Sequence, residues 1–302
     1  MSAEPLWCEE EGRVAAPGQL RAPWDPCASG ERVIQRLLQA EERYLPSTLY
    51  VSLVQRDPRQ RDQLAKWTLE VCCECGCEEA VFPLAVSLLD RFLSVSPSLP
   101  LSLWSLCAAC ILISSKLTES ETVCADSLSA CADCSFTPKD LWEMERVVLA
   151  TLRWDVAAVT PQDFLPHFLS ALGEKQARKT QAGVSLATLR RHSDTLVAMC
   201  VCDSDFLGTP PSVISAAALN AAIRGLGNRG PQPGHVTTVL SALCRTDMGV
   251  LQYYSDLIEG ALRERLRNGQ RERQREQKKE DKDGEMEDER ASTPTDLREI
   301  SF

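Results

Sequence analysis

Cysteine spacing gives this sequence a pattern that could bind a metal ion. Cys107 and Cys110 form one C-x2-C pair, Cys131 and Cys134 form a second, and twenty residues separate them. The spacing matches a zinc template, in which four thiolates converge from loops on one tetrahedral ion. However, Cys107 and Cys110 lie in a very apolar stretch, where cysteines three residues apart behave as small buried hydrophobes. A zinc-binding all-helical scaffold is therefore an alternative function for this chain rather than the main prediction. We expect that the protein holds no cofactor.

Histidines and glycines offer little chemistry for an enzyme. The three histidines, His167, His192 and His235, are isolated on predicted helices, with no nucleophile–base pairing visible in the sequence. The sequence also lacks a glycine-rich phosphate loop. We therefore expect a protein without catalytic activity.

Two charged residues beside apolar stretches could bind a partner chain instead. Lys116 ends the apolar run LSLWSLCAACILISSKL, and Glu145 lies within LWEMERVVLATL. A cation at a helix C-terminus and a solvated glutamate are both ordinary features. Two such charges beside an apolar surface can also bind the backbone groups of a partner. Spacing alone leaves both interpretations open.

A short acidic stretch near the start, LWCEE, places Leu6, Cys8 and Glu10 at alternate positions. In an extended segment these three side chains share one face. They could lie in another protein's groove, with the apolar side chains in pockets and the carboxylate facing backbone N–H groups. Such a pattern also arises by chance in chains of this length, so by itself it does not establish docking.

Composition restricts the class of protein. The chain has 302 residues, a net charge of −10 and 44% hydrophobic residues, enough for two modest domains. The acidic balance argues against direct nucleic-acid binding. No apolar run approaches the roughly 20 residues that a membrane helix needs, and the acidic start lacks the apolar core of a secretion signal. We expect the fourteen cysteines to occupy a reducing compartment, in the nucleus and cytoplasm.

Apolar residues recur at three- and four-residue spacing along most of the chain, which predicts an all-α fold. Two units of about five helices each are expected, because similar apolar and small-residue runs recur at the third helix of each half. The expected organisation is a flexible N-terminal arm (residues 1–29), a first unit (30–155), a second unit (156–262) and a charged tail (263–302).

Several local features sharpen this prediction. Pro46 and Pro58 bracket a segment predicted to be a linker, and the apolar run ending at Lys116 predicts a buried central helix. Thr160 in TPQD is predicted to cap the first helix of the second unit. The basic half of the tail could extend the last helix through charge pairs, while its acidic half is expected to be disordered.

Several longer segments together resemble a D-type cyclin. They are WTLEV, FPLAVSLLDRFL, SSKL, MERVVLATLRWDVAAVTPQDF and STPTDL, and the resemblance covers about residues 30–262 and both termini. It implies two tandem five-helix cyclin folds and no catalytic activity. It further implies a regulatory subunit that activates cyclin-dependent kinases four and six, which then phosphorylate retinoblastoma-family proteins and promote entry into S phase.

The resemblance also implies roles for individual residues of the first unit. Lys116 and Glu145 match the pair that holds backbone groups of the kinase. The apolar positions that pack on the mobile helix of the kinase are matched by Ile113, Leu117, Leu149 and Trp154.

At the termini, the resemblance implies two docking segments. Leu6, Cys8 and Glu10 match an L-x-C-x-E motif for retinoblastoma-family proteins. Thr293, which precedes Pro294, matches a phosphorylation site that is read by a ubiquitin ligase adaptor for turnover.

A substrate-docking groove is implied as well, together with kinase inhibitor proteins as further partners. Leu64, Trp67 and Glu70 match the groove, but Gln60 and Gln63 stand where Met and Ile are usual. Burying two amides without partners costs free energy, so the groove is expected to be weak or altered.

Overall fold

The structure is a computed structural model that describes residues 30–96, 102–176, 186–226 and 233–291. Within these ranges the chain is helical and contains no strand, which confirms the all-α prediction. The helices of the described chain are α1 (Glu31–Glu41), α2 (Thr48–Arg56), α3 (Arg59–Glu74), α4 (Val81–Val95), α5 (Leu103–Thr118), α6 (Ala125–Cys131), α7 (Pro138–Thr151), α8 (Pro161–Gln176), α9 (Leu186–Cys202), α10 (Pro211–Gly225), α11 (Pro233–Leu243) and α12 (Met248–Ala291).

Each unit is built around one central helix. In the first unit, α3, α4, α6 and α7 surround α5, whose residues 105–115 are all buried. In the second unit, α8, α9, α11 and α12 surround α10, which is rich in alanine. Small side chains allow neighbouring helices to approach closely, while the surrounding helices supply large side chains such as Phe92 in one core and Phe164 in the other. The predicted tandem arrangement is confirmed.

Helix α1 packs against the second unit, although the sequence assigned it to the first. Ile34 belongs to the same buried cluster as Phe164 and Leu219. Glu41, the last residue of α1, accepts hydrogen bonds from the backbone N–H (2.9 Å) and hydroxyl (2.8 Å) of Ser212 in α10. Helix α1 therefore packs across the predicted division between the units, because helical periodicity identifies an apolar stripe but not the surface that covers it.

The predicted linker between Pro46 and Pro58 is a helix, so that prediction is wrong. The side chain of Ser47 accepts a hydrogen bond from the Tyr50 backbone N–H at 3.3 Å and caps α2. Tyr50 and Val54 then form a small cluster with Leu207, between the two units. The stripe of α2 is too short to stand out in the sequence.

The last helix also differs from its prediction. The basic half of the tail was expected to extend it and the acidic half to be disordered, whereas α12 continues to Ala291. Glu, Lys, Arg and Gln dominate this part of the sequence and are good helix formers, and Pro does not interrupt it before residue 291.

A buried ion pair joins the two units. Arg61 in α3 donates to Asp90 in α4 through Nη2 (2.8 Å) and Nε (3.2 Å), and both side chains are buried. Through Nη1, Arg61 also donates to the carbonyl of Val201 in α9, at 2.7 Å. The Tyr50 hydroxyl donates to Asp90 at 3.0 Å, and burial followed by the Asp90 charge raises the pKa of Tyr50. One guanidinium thus connects α3, α4 and α9, and α2 joins through Tyr50.

Removal of Arg61 should destabilise the protein strongly. Arg61→Ala leaves the Asp90 carboxylate buried without its cation, which costs about 3–5 kcal/mol of unfolding free energy. Urea unfolding followed by circular dichroism measures the change. Arg190→Ala is the control, because Arg190 is 54% exposed and lies 3.6 Å from Glu79 and 3.7 Å from Asp194, and pairs of an exposed arginine contribute about 0–1 kcal/mol. Equal losses in the two variants would contradict a special role for Arg61.

Candidate functional site

Lys116 and Glu145, which lie far apart in the sequence, form an ion pair at the surface of the first unit. The Lys116 Nζ donates to Glu145 Oε1 at 2.5 Å. Lys116 lies in the last turn of α5 and Glu145 in the middle of α7, and the packing of these two helices brings the side chains together. Lys116 is exposed and Glu145 is half-buried. The Lys116 ammonium is therefore accessible to a partner, and the Glu145 carboxylate is accessible in part.

Apolar side chains beside this pair are exposed to solvent. Leu117 follows Lys116 and is 53% exposed, and Trp154 is 73% exposed. Both line one surface groove together with Leu84 and Val156. An exposed Trp and Leu on one groove are typical of a surface that a partner covers.

The turn that presents Trp154 has an unusual backbone. The N–H groups of Arg153 and Trp154 donate to the carbonyls of Ala150 (3.1 Å) and Leu149 (2.8 Å), which closes the end of α7. Arg153 (φ 53°) and Trp154 (φ 61°) both adopt the left-handed conformation without being glycine. This conformation costs roughly 1–2 kcal/mol per residue. Surrounding contacts must therefore hold the turn.

Two arginines hold the chain that follows this turn. Arg91 in α4 donates to the carbonyls of Asp155 (2.7 Å) and Ala157 (2.8 Å). Arg43 forms an ion pair with the Asp155 carboxylate at 2.6 Å. The sequence analysis did not select Arg43, Arg91 or Asp155. The only available signal was the adjacent Asp90–Arg91 charge pair in the apolar α4 segment.

The other two predicted contact residues are less accessible. Ile113 is 3% exposed and belongs to the core of the first unit. Leu149 is half-buried against the same core. In this structure they support the surface from beneath, whereas Leu117 and Trp154 form it. Trp142 on α7, which the sequence analysis did not select, is also exposed.

The residues of the predicted substrate-docking groove share one face of α3 but differ in exposure. Leu64 is buried in the core, Trp67 packs edge-on against Trp104 with ring centroids 5.3 Å apart, and Glu70 is exposed. Gln60 and Gln63 are exposed as well. Their amides therefore remain hydrated in the free chain, and a desolvation cost would arise only when a ligand covers them.

The structure does not bring the four cysteines of the zinc template together. Cys107 and Cys110 are fully buried within α5, where burial raises the pKa of Cys107 to about 12. Cys131 ends α6 and Cys134 is exposed beyond it. Over the described ranges, no group of three or more His, Cys, Asp or Glu side chains is placed to hold a metal ion. The alternative scaffold function gains no support.

The remaining predicted residues give no further site in the described chain. His167, His192 and His235 lie on three different helices, α8, α9 and α11, and burial lowers the pKa of His167. Leu6, Cys8, Glu10 and Thr293 lie outside the described residues. Among the helices that are described, none is both long and apolar enough to cross a membrane.

Family models match both units. The model "Cyclin, N-terminal domain" matches residues 32–157, and "Cyclin, C-terminal domain" matches residues 159–288. Among solved structures, a viral cyclin from herpesvirus saimiri has a TM-score of 0.60 at 23% identity, covering 77% of this chain and 97% of the viral one. That likeness shows the fold.

Curated proteins of similar sequence indicate which group of cyclins this chain resembles. G1/S-specific cyclin-D1 of Danio rerio is 39% identical over 288 residues, covering 93% of this chain and 95% of the relative. G1/S-specific cyclin-D3 of Homo sapiens is 38% identical over 301 residues, covering 98% and 99%. G1/S-specific cyclin-D2 of Gallus gallus is 40% identical over 278 residues, covering 90% and 92%. With two cyclin domains in tandem and relatives of this kind along nearly its whole length, the chain belongs to the cyclin family and, within it, to the D-type cyclins.

Proposed function

We propose that this D-type cyclin binds and activates cyclin-dependent kinases four and six, which are serine/threonine kinases, so that they phosphorylate retinoblastoma-family proteins. Membership of the family supports the coarser statement, a non-catalytic regulatory subunit of a cyclin-dependent kinase. The observation that carries the finer proposal is the Lys116–Glu145 pair at the surface, together with the exposed side chains of Leu117 and Trp154. In this proposal the complex works in the nucleus and cytoplasm and drives entry into S phase.

The ion pair has spare hydrogen-bonding capacity. An ammonium group has three donors, and Glu145 accounts for one of those on Lys116. The remaining donors can bind backbone carbonyls at the end of a kinase helix. The Glu145 carboxylate can accept from backbone N–H groups of the partner in addition to Lys116. The pair thus fixes both the position and the polarity of the docked segment.

The apolar groove would supply most of the binding energy. Full burial of a Leu-sized side chain contributes about 1.5–3 kcal/mol, and an aromatic residue buries a still larger area. Because the turn at Arg153–Trp154 is already held by Arg43 and Arg91, little conformational freedom is lost when a partner covers Trp154.

Activation follows from binding one kinase conformation better than the other. A docked helix that carries a catalytic glutamate is held where that glutamate reaches the ATP-positioning lysine. The cyclin shifts the population toward this arrangement only by the difference in its affinity for the two states. A shift from mostly inactive to mostly active needs about 5.5 kcal/mol of differential binding. Lys116, Glu145, Leu117 and Trp154 would together provide it.

Two segments outside the described residues complete the proposal. Leu6, Cys8 and Glu10 would dock on retinoblastoma-family proteins and bring the substrate to the kinase. Phosphorylated Thr293 would carry close to two negative charges and bind an arginine-lined pocket of a ubiquitin ligase adaptor. Kinase inhibitor proteins would bind the assembled complex and use the face of α3 that presents Trp67 and Glu70, with Leu64 supporting it from the core.

Reversal of the Lys116 charge should abolish kinase binding without unfolding the protein. Lys116→Glu places a second carboxylate against Glu145 and against the partner's carbonyls, and we expect at least a roughly hundredfold loss of affinity. Calorimetric titration with each kinase measures it, with helix content checked by circular dichroism. Lys139→Glu is the matched control, because Lys139 is an exposed lysine in the first turn of α7.

The double variant Lys116→Glu/Glu145→Lys separates the two roles of this pair. It restores an ion pair within the chain but inverts the polarity seen by a partner, so it should fold normally and still fail to bind. Recovery of kinase binding in the double variant would show that the pair has only a structural role.

The N-terminal motif should bind retinoblastoma-family proteins on its own. A peptide of residues 1–20 should bind, and Glu10→Lys or Cys8→Arg in the peptide or full chain should weaken binding at least about tenfold. Glu9→Lys is the matched control, since it makes the same charge change on the opposite face of an extended segment. If Glu9→Lys and Glu10→Lys weaken binding equally, net charge rather than the motif is responsible.

The tail should set the lifetime of the protein in dividing cells. Thr293→Ala removes the acceptor of a proline-directed kinase and should lengthen the half-life in a cycloheximide chase, without changing kinase activity per complex. Thr295→Ala serves as the control, because Asp296 follows Thr295 in place of proline. Unchanged half-lives in Thr293→Ala would remove this site from the proposal.

A further inference from the structure

The C-terminal end of α3 carries a group of free thiols with contrasting environments. Cys72 is 4% exposed and belongs to the core of the first unit. Cys77, just beyond the helix, is half-buried and reaches both this core and solvent. Cys73 between them is exposed, and Cys75 is half-buried. A buried thiol thus lies within one turn of an accessible one.

The backbone at this helix end brings Cys72 and Cys77 together. The N–H of Cys77 donates to the carbonyl of Cys72 at 2.9 Å, and the N–H of Gly76 donates to the carbonyl of Cys73 at 3.2 Å. Gly76 has φ +67°, a conformation that glycine adopts without strain. These bonds form a Schellman motif, in which the side chains at the two positions occupied by Cys72 and Cys77 commonly contact each other.

The two thiols differ in acidity. The proximity of the two sulfurs lowers the pKa of Cys77 and, together with burial, raises the pKa of Cys72. Burial raises the pKa of the neighbouring Cys75 to about 12. At neutral pH, Cys77 therefore has a larger thiolate fraction than Cys72 or Cys75. A thiolate that is accessible and adjacent to a second thiol is the usual arrangement of an oxidation-sensitive site.

We propose that Cys77 and Cys72 form a peroxide-reactive pair, in which Cys77 is oxidised first and Cys72 then closes a disulfide. The Cys77 thiolate attacks one oxygen of hydrogen peroxide, the O–O bond breaks, and Cys77 sulfenic acid and hydroxide are formed. The Cys72 sulfur then attacks the Cys77 sulfur, the S–O bond breaks, and the Cys72 proton leaves with the hydroxyl group as water. Peroxide is reduced and the two thiols are oxidised by two electrons.

The pair lies next to a contact between the ends of two helices. Glu78, the residue after Cys77, donates its backbone N–H to the Glu119 carboxylate at 2.6 Å. Glu119 caps the C-terminus of α5, three residues after Lys116. A Cys72–Cys77 disulfide would therefore restrain the loop between α3 and α4 at the point where it contacts the end of α5. The chemistry itself does not depend on any bound kinase.

A competing pair is present nearby. The thiols of Cys75 and Cys131 both pack against the core of the first unit and influence each other's pKa, so a disulfide between the end of α3 and α6 is possible as well. However, burial raises the pKa of both, which makes either of them a poorer attacking group than Cys77. Their disulfide is the main rival outcome of an oxidation experiment.

Mass spectrometry of the reduced full-length protein tests the proposal. After brief exposure to hydrogen peroxide and alkylation of the remaining thiols, we expect Cys72 and Cys77 to be joined, with Cys73 and Cys75 alkylated. Cys77→Ser should abolish this disulfide, while Cys73→Ser, a change of an exposed neighbour, should not affect it. A Cys75–Cys131 disulfide as the first product, or no disulfide at Cys77, would overturn the proposal.

Two substitutions of Cys72 test the separate roles of the partner thiol. Cys72→Ser removes the resolving sulfur but keeps a hydroxyl donor, so dimedone should trap sulfenic acid on Cys77. Cys72→Ala also removes the donor, so labelling should be slower, by roughly three- to fourfold for each unit of pKa that Cys77 gains, because the lower thiolate fraction is partly offset by higher nucleophilicity. Circular dichroism confirms the fold of each variant. Absence of dimedone labelling in folded Cys72→Ser would show that Cys77 is not the reactive thiol.

Discussion

The buried contact between Arg61 and Asp90 is the constraint on which the geometry of the molecule depends. Desolvating two charges is unfavourable unless each finds several well-aligned partners. Here Arg61 satisfies this requirement only when α3, α4 and the Val201 carbonyl of α9 are all in place. Apolar contacts between the two units are not directional and would allow them to shift, whereas the hydrogen bonds of a guanidinium require one geometry. The pair therefore sets one relative orientation of the two cyclin folds.

The same helix carries this constraint to the candidate kinase surface. Asp90 faces the joint between the units, and the next residue, Arg91, holds the carbonyls of Asp155 and Ala157. Those carbonyls belong to the segment directly after Trp154, whose left-handed backbone would otherwise relax. Strain near a binding surface persists only where neighbouring contacts determine it. Helix α4, through Arg91, thus positions the exposed Trp154, and the sequence analysis did not predict this dependence.

Most of the helices could be predicted from the sequence, because their apolar stripes are long and regular, as in α5 and α10. The start of α8 was also predictable, because the TPQD segment pairs Thr160 with Asp163, whose carboxylate accepts hydrogen bonds from the Thr160 N–H and hydroxyl. The burial of Ile113 could not be predicted, because the sequence pattern of a central helix is the same whether an apolar residue faces the core or a partner. The contacts of α1 and the role of Arg61 depend on residues more than a hundred positions away, which no local pattern reports.

The docking of α1 on the second unit has a consequence for the order of folding. Glu41 finds its partner Ser212 only 171 residues later in the chain. During synthesis, α3 to α7 can assemble from contacts within one contiguous segment, whereas α1 must wait until α8 and α10 have emerged. Contacts of such long sequence separation form late, and the unpaired apolar face of α1 stays exposed meanwhile. Helix α1, the first helix of the described chain, is therefore among the last to be fully packed, and a chain truncated before α8 would leave its apolar face exposed and prone to aggregation.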